Sequence, residues 1–413
     1  MFKFAAKQLS QPKFSRAMAT QAQQIYKIQE LTAAQKAIIK ATVPTLEQAG
    51  EVLTAKFYQN MFVTSPAVKP FFNDTDQKLL RQPKILAFAL LNYAKNIDDL
   101  TPLLGFVGQI VSKHVGLQVK AEHYPYVGEL LLATMKELLG PETANEEFIG
   151  AWATAYGNLA QILINMEHEQ FQKQSWDGFR KFKVSRIEQE SDDVKSVYFT
   201  PVDPEHKIAI PLRGQYVCIR WMLPGAEYER SREYSLSQFP TNNEYRISVR
   251  NIGLISGHIH EALKVGDEVG VAPPSGTFVY EKNEKEAVFV VGGIGITPII
   301  PIMEQTLADG RKATLLLSNK TVESRPFFGY LKQLRQQYGD KLEIKEYFSD
   351  AEGTLELGQS ENRKLTDSDL DFITKSHDIY LLGPREYMKY VKSYLNNKGV
   401  DNVKLEFFGP MDV

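Results

Sequence analysis

The spacing of apolar residues changes character twice along this chain, and that change limits the folds open to it. Before Trp176-Asp177-Gly178 apolar residues recur at helical intervals, from Phe179 they alternate, and from Ala287 short apolar runs alternate with helical stretches. One core cannot satisfy all three patterns, because each period fixes which side chains share a face. At 413 residues the chain is also too long for one core. The expected architecture is multidomain: an all-α domain over 27–173, an antiparallel β-barrel over 179–283, and an α/β domain with a parallel sheet over 286–413.

Within the first domain the pattern is helical from Ile28 to Phe171, with Thr32 suited to cap a first helix. Further helices are expected over Thr45–Met61, Leu79–Asn96, Thr101–Val115, Pro125–Leu139 and Glu146–Gln170. Barrel strands are expected in the runs FKVSRIE, SVYFT, QYVCIRW, EYSLS, EYRISV and DEVGVA. The third domain reads AVFVV, a glycine-rich turn and a helix, ATLLLS, a helix over Arg325–Gln337, LEIKEYF, another helix, DIYLLG, another helix and VKLEFF.

Composition excludes several classes. With 43% apolar and 24% charged residues this is an ordinary globular chain. Lys+Arg (48) nearly balances Asp+Glu (50), so no nucleic-acid surface is expected. Cys218 is the single cysteine and cannot form an internal disulfide; in its strand-like run it reads as a packed thiol in a reducing compartment. No apolar run approaches the roughly 18 residues that span a bilayer. Residues 1–26 carry Lys3, Lys7, Lys13 and Arg16, with no acidic residue before Glu30. That segment suits either a mitochondrial presequence or a disordered basic tail. The expectation is a cytoplasmic monomer, with the mitochondrial matrix as destination if the segment is a targeting signal.

Residues suited to chemistry recur in each domain. His114 ends a stripe with Leu104, Val107 and Val111, and Tyr124 is in phase with Val127, Leu131, Thr134 and Leu138. An imidazole and a phenol should therefore enter one apolar cavity. Glu167 shares a helical face with Leu159 and Leu163, beneath Trp152 and Tyr156. On these residues alone, His114 reads as a packed core residue ahead of a ligand. In Arg232-Glu233-Tyr234-Ser235, Arg232 and Tyr234 share a strand face, where a guanidinium can grip a diphosphate and a phenol can lie on an aromatic ring. After Arg250 comes Gly253-Leu254-Ile255-Ser256-Gly257, with Ser256 read as the N-cap of a helix whose amides could meet an anion. Gly292-Gly293-Ile294-Gly295-Ile296-Thr297-Pro298 follows the strand AVFVV, with Thr297 read as a cap and Pro298 as the first helical residue. Leu382-Gly383-Pro384 and Phe407-Phe408-Gly409-Pro410 end two further strands.

Taken together, Arg-x-Tyr-Ser, Gly-Gly-x-Gly-x-Thr-Pro, Gly-Pro and a terminal Phe-Gly-Pro resemble the ferredoxin–NADP reductase superfamily. Joined to a helical domain carrying Lys113-His114, the chain resembles flavohaemoglobin from Ile28 to Pro410. The resemblance implies a globin fold holding haem b, with His114 as proximal ligand and Tyr124 and Glu167 as its hydrogen-bonding partners. It implies Tyr58 as donor to bound oxygen, Gln82 and Leu86 as pocket lining, and Phe72 packed on the porphyrin. It further implies FAD held by Arg232, Glu233, Tyr234 and Ser235, with Lys113 nearby and Tyr216 on the adenosine side or the adjacent barrel wall. Gly253, Leu254, Ile255 and Ser256 would take the pyrophosphate. Phe408, with Phe407, Gly409 and Pro410, would cover the isoalloxazine. Gly293, Ile294, Gly295, Ile296, Thr297 and Pro298 would receive NADH or NADPH. Leu382 and Phe407 depart from the family, standing where cysteine is common. Ser318, Lys320 and Arg325 lie where a 2′-phosphate could be gripped, or are solvated charges. The implied activity is nitric oxide dioxygenation, in which NO and O2 give nitrate with electrons from NAD(P)H through FAD. Two alternatives stand beside it: a haem-based O2 or NO sensor or carrier with a reductase keeping the iron ferrous, and a flavin reductase whose helical domain binds apolar ligands.

Overall fold

The structure is a computed structural model and describes residues 23–350 and 357–408. The basic residues expected to form a targeting signal, and Gly409 and Pro410, lie outside the described residues.

The first domain is helical, as its apolar spacing requires. Helix α1 (Ala33–Ala41) opens on a capping box: the Thr32 hydroxyl accepts from Gln35 N at 3.2 Å and the Gln35 side chain accepts from Thr32 N at 2.9 Å. There follow α2 (Val43–Thr64), α3 (Asp74–Lys78), α4 (Arg81–Lys95), α5 (Leu104–Leu117), α6 (Tyr124–Thr143) and α7 (Glu146–Phe171). A 3₁₀ turn over Thr101–Leu103 replaces the expected first turn of α5. Pro125 occupies the first turn of α6, and the helix breaks at Gly140 ahead of Pro141. The expected stripes are shorter than read. Val107, Val111 and Leu131 are buried, but Leu104 is 57% and Leu138 42% exposed. Leu104 is the first residue of its helix and Leu138 lies just before the break, so both lie at helix ends and not over the core. That core gathers Phe57, Met61, Leu131, Met135, Phe148 and Trp152 from α2, α6 and α7.

The second domain is a six-stranded antiparallel barrel of β1 (Arg180–Ser191), β2 (Val194–Pro201), β3 (Tyr216–Trp221), β4 (Arg230–Ser235), β5 (Tyr245–Arg250) and β6 (Glu268–Val271), in the order β4-β3-β6-β1-β2-β5. Its edges meet where Leu236 bridges Ile247 and Ser237 N donates to Arg246 O at 3.0 Å, so no open edge remains there. Cys218 is fully buried, and burial pushes its thiol up to about 12, which is the chemistry of a packed residue. Helix α8 (Leu254–Glu261) sits between β5 and β6.

The third domain is a parallel sheet of β7 (Ala287–Gly292), β8 (Ala313–Asn319), β9 (Leu342–Phe348), β10 (Gln359–Glu361), β11 (Asp378–Leu382) and β12 (Val403–Leu405), in the order β10-β9-β8-β7-β11-β12. Helices α9 (Ile296–Ala308) and α10 (Phe328–Tyr338) cover one face, with Ile299, Met303 and Leu331 against Phe289 and Leu315. On the other face α11 (Asp367–Leu370) and α12 (Arg385–Asn397) bring Leu370, Met388 and Val391 against Val288 and Leu381. Both faces are apolar, as a parallel sheet covered by helices demands. Three expectations change here. The helix placed between LEIKEYF and DIYLLG is the short strand β10 and the single turn α11, because Gln359, Ser360 and Glu361 pair with β9. The helix expected from Arg325 begins at Phe328, after a left-handed Phe327. The VKLEFF run is a strand only over Val403–Leu405.

Candidate active site

Three helices converge on His114, close to the end of α5. Its Nδ1 lies 2.8 Å from Glu167 Oε1 on α7 and 3.1 Å from the Tyr124 hydroxyl on α6. The Tyr124 hydroxyl donates to the same carboxylate oxygen at 2.5 Å. A carboxylate can only accept, so Nδ1 carries the ring proton and Nε2 keeps the lone pair. Glu167 is 2% exposed, whereas His114 remains 32% exposed, so its ring is anchored at one nitrogen and open elsewhere. Burial, then the Glu167 charge, raises the Tyr124 phenol far above its ordinary range, so it remains a donor. The helices meet closely because Gly128 lacks a side chain: a Cβ there would stand 2.4 Å from the Tyr156 ring. Tyr156 in turn donates to Tyr124 O at 2.7 Å.

Aromatic residues from α2 and the turn after it form another wall. Tyr58 stacks on Phe62 at 6.1 Å between centroids and meets Phe72 edge-on at 5.6 Å. Leu86 packs on the same core, yet Tyr58, Phe72 and Leu86 all stay only partly buried. Gln82 lies in the first turn of α4 and accepts from Gln77 Nε2 at 2.7 Å. Pro83 follows it without breaking the helix, since first-turn amides need no helical acceptor. A partly buried aromatic cluster and an imidazole held through Nδ1, with Nε2 left to ligate, are residue types that fit an apolar, metal-bearing cofactor such as haem.

The seam between the helical domain and the barrel starts one residue from His114. Lys113 Nζ is 2.7 Å from Glu233 Oε2 on β4 and lies over the Tyr216 ring at 5.1 Å. The Tyr216 hydroxyl donates to Ser112 O at 3.2 Å, which makes Tyr216 part of the barrel wall facing α5. Burial works against the Lys113 ammonium, but Glu233 and Glu406 outweigh it and raise its pKa. Glu406 was not singled out in the sequence; it precedes the Phe407-Phe408 pair, and burial raises its carboxyl while Lys113 draws it down.

Arg232 reaches from β4 to Asn73 Oδ1 at 3.2 Å, and Tyr234 meets the Trp221 ring edge-on at 6.1 Å. Ser235 pairs with Tyr216 in the barrel ladder. Around the next turn, Ser256 is not the N-cap. Gly253 occupies that position, and Ser256 sits three residues in, its hydroxyl accepting from Ile252 N and Gly253 N at 2.9 and 2.8 Å. The side chain folds back over the turn, and the first-turn amides of α8 have no acceptor within the helix. Ile252 and Leu254 flank Gly253 at 81% and 64% exposed, and Ile255 is buried beneath. An uncovered apolar rim at the start of a helix, together with the Arg232 guanidinium on β4, has the residue types that suit a phosphorylated aromatic cofactor such as FAD.

In the third domain Gly293 takes φ +55°, and a Cβ there would stand 2.4 Å from Arg250 Nη1. Only glycine lets this turn pass the barrel's arginine. Helix α9 begins at Ile296, with Gly295 at its N-cap. Thr297 and Pro298 are therefore second and third in the helix, and the Thr297 hydroxyl donates to Ile294 O at 3.0 Å instead of capping an amide. Leu382 is fully buried under the turn, its carbonyl 2.6 Å from where a Gly295 Cβ would lie. Phe407 packs against the sheet, and Phe408 is 50% exposed.

Comparison with known proteins agrees with this division. The globin family matches residues 55–163, the oxidoreductase FAD-binding domain family 181–280, and the oxidoreductase NAD-binding domain family 289–393. These matches define an oxidoreductase that joins a globin to an FAD- and NAD-binding reductase. The flavohemoprotein of Candida albicans is 58% identical over 394 residues, spanning 94% of this chain and 99% of that protein. That of Schizosaccharomyces pombe is 49% identical over 93% of each. Flavohemoglobin from Malassezia yamatoensis, solved with bound FAD and heme, shares the fold with a TM-score of 0.81 over 92% of this chain and all of that one, at 22% identity. The chain belongs to the flavohemoprotein family.

Proposed function

We propose that this protein is an NAD(P)H-dependent nitric oxide dioxygenase, converting NO and O2 to nitrate. The observation carrying the reading is the buried carboxylate on the ligand histidine: Glu167 holds His114 Nδ1 at 2.8 Å with Tyr124 bonded to the same oxygen. A carboxylate accepting from Nδ1 raises the basicity of Nε2 and increases the electron density it gives a metal. Reversible oxygen carriage does not call for that push.

Bound FAD supplies the conversion of two-electron to one-electron transfer, and bound haem the activation of O2. The chain's own residues position both. His114 would ligate haem iron through Nε2, its tautomer fixed by Glu167. Tyr58, its phenol pKa raised by burial, stays protonated and would offer a hydrogen-bond donor to a small ligand bound at the haem. Arg232, Tyr234, Ser235 and the Gly253 turn hold the flavin nucleotide, and the turn from Gly293 to Pro298 receives the nicotinamide nucleotide. Ser112 and Lys113, beside His114, touch Tyr216 and Glu233, beside the flavin residues, so the residues that would hold the two groups meet across a short packed seam. A solved reductase fragment that is 30% identical, with a TM-score of 0.51, comes from a protein described as nitric oxide dioxygenase of Vibrio cholerae.

The test is NO consumption by purified, haem- and FAD-loaded protein under air with NAD(P)H, with nitrate quantified. Near one nitrate per NO over many turnovers, lost in His114→Ala, is the expected result. Consumption without nitrate points to NO reduction, and no consumption by the loaded protein points to a sensor or carrier.

A further inference from the structure

At the carboxyl end of β8, Asn319 is 8% exposed, and neither its amide nitrogen nor its amide oxygen has a hydrogen-bond partner. Burying both atoms unmet is costly, so such a side chain is poised for a ligand that supplies one donor and one acceptor. The strand register places Asn319 beside Phe348 and Leu317 beside Glu346, so Asn319 and Glu346 lie on one face of the sheet. Arg325 is neither a free phosphate grip nor a solvated charge. Its Nη1 binds both Glu346 oxygens, at 3.1 and 2.8 Å, with the side chains 5% and 0% exposed, and its guanidinium lies 3.9 Å from the Phe328 ring centroid.

Loops at the carboxyl ends of parallel strands line the nucleotide crevice, and in dinucleotide-binding sheets a side chain roughly 20 residues beyond the glycine turn meets the ribose 2′-hydroxyl. The Gly293 turn follows β7, which pairs with β8, so Asn319 ends the strand beside it. We propose that Asn319 reads the ribose 2′-hydroxyl while the closed Arg325–Glu346 pair withholds a charge from any 2′-phosphate, so that this domain selects NADH over NADPH. A hydroxyl both donates and accepts, matching the amide. A phosphate dianion only accepts, and it meets the amide oxygen unfavourably. Two other cations stand near. Lys320 is exposed, where solvent weakens its charge, and Arg250 is taken by Asp193 at 3.0 Å and Ser324 O at 2.8 Å.

This inference rests on the third domain binding a nicotinamide dinucleotide, and is independent of NO chemistry. The experiment is calorimetric titration of the full-length, haem- and FAD-loaded protein with 5′-AMP and with 2′,5′-ADP, which differ by the 2′-phosphate alone. The expected result is about tenfold tighter binding of 5′-AMP. Glu346→Gln, freeing the Arg325 charge, should narrow that ratio by strengthening 2′,5′-ADP. Because that variant leaves a buried charge and can misfold, Asn319→Ala is the second probe; it should weaken 5′-AMP and leave 2′,5′-ADP unchanged. Equal or tighter binding of 2′,5′-ADP by the unaltered protein overturns the proposal, as does a ratio unmoved in folded Asn319→Ala. Binding of neither fragment overturns the nucleotide placement itself.

Discussion

The walls contributed by α5–α7 and by α2 are built on opposite principles. Around His114, three polar groups from three helices are joined by contacts of 2.5 to 3.1 Å, with Glu167 almost wholly buried. Around Tyr58 the neighbours are rings, Phe57 at 5.1 Å, Phe72 at 5.6 Å and Phe62 at 6.1 Å between centroids. The first wall fixes a tautomer and an electron density, which takes directional bonds. The second fixes a shape and presents one phenol, which takes packing. A site that must tune a metal and admit small apolar gases needs both, and the fold keeps them on separate helices.

The sharpest break in that comparison is His114→Ala. Removing the axial ligand should abolish haem retention, read as loss of the Soret band in protein purified with haem supplied, while FAD stays bound. Intact haem content would remove His114 from the ligand role. Glu167→Gln is the next largest. Its amide oxygen still accepts from Nδ1, but the charge is gone, so the fold and haem should survive while turnover falls about 10- to 100-fold. The discriminating readout is the iron–histidine stretching frequency, which should drop; an unchanged frequency would reduce Glu167 to a structural carboxylate.

Much of the first wall is legible in the sequence because helical phase survives folding. The spacing from Val107 to His114 and from Leu159 to Glu167 places the right faces inward, and Tyr124 ahead of Pro125 is a helix start. What could not be read is that these helices approach closely enough to share one oxygen, since that depends on Gly128 yielding to Tyr156. Two of the three expected helix caps failed for a related reason, while Thr32 caps as read. Ser256 and Thr297 have the residue types of caps, but glycine turns at Gly253 and Gly295 begin those helices earlier, and the hydroxyls bond back to the turn. Glu406 and Asn319 carry no local pattern at all. Their environment is assembled from Lys113, Glu233 and the β8–β9 register, and no spacing rule encodes long-range contact.

The second wall makes the smaller predictions. Tyr58→Phe deletes one hydrogen-bond donor and leaves the ring packing intact, so stability should barely move. O2 dissociation from the reduced, haem-loaded protein should quicken about tenfold, the worth of a single hydrogen bond to a charged acceptor. Stopped-flow measurement of the off-rate checks it, and equal rates would leave α2 with shape alone.

The last prediction is an effect of zero size, and its sign follows from burial. Desolvation disfavours the phenolate, so the Tyr58 pKa rises above the ordinary 10.0 for tyrosine. The donor therefore persists through the range in which a solvated phenol would already be losing its proton. The ratio of O2 off-rates between Tyr58→Phe and the unaltered protein should stay flat from about pH 6 to about pH 10. Were the phenol to ionise normally, the ratio would collapse toward unity near the upper end, because a phenolate donates nothing. A collapse there would mean that water reaches the Tyr58 hydroxyl, and that its ring packing fails to shield that one group.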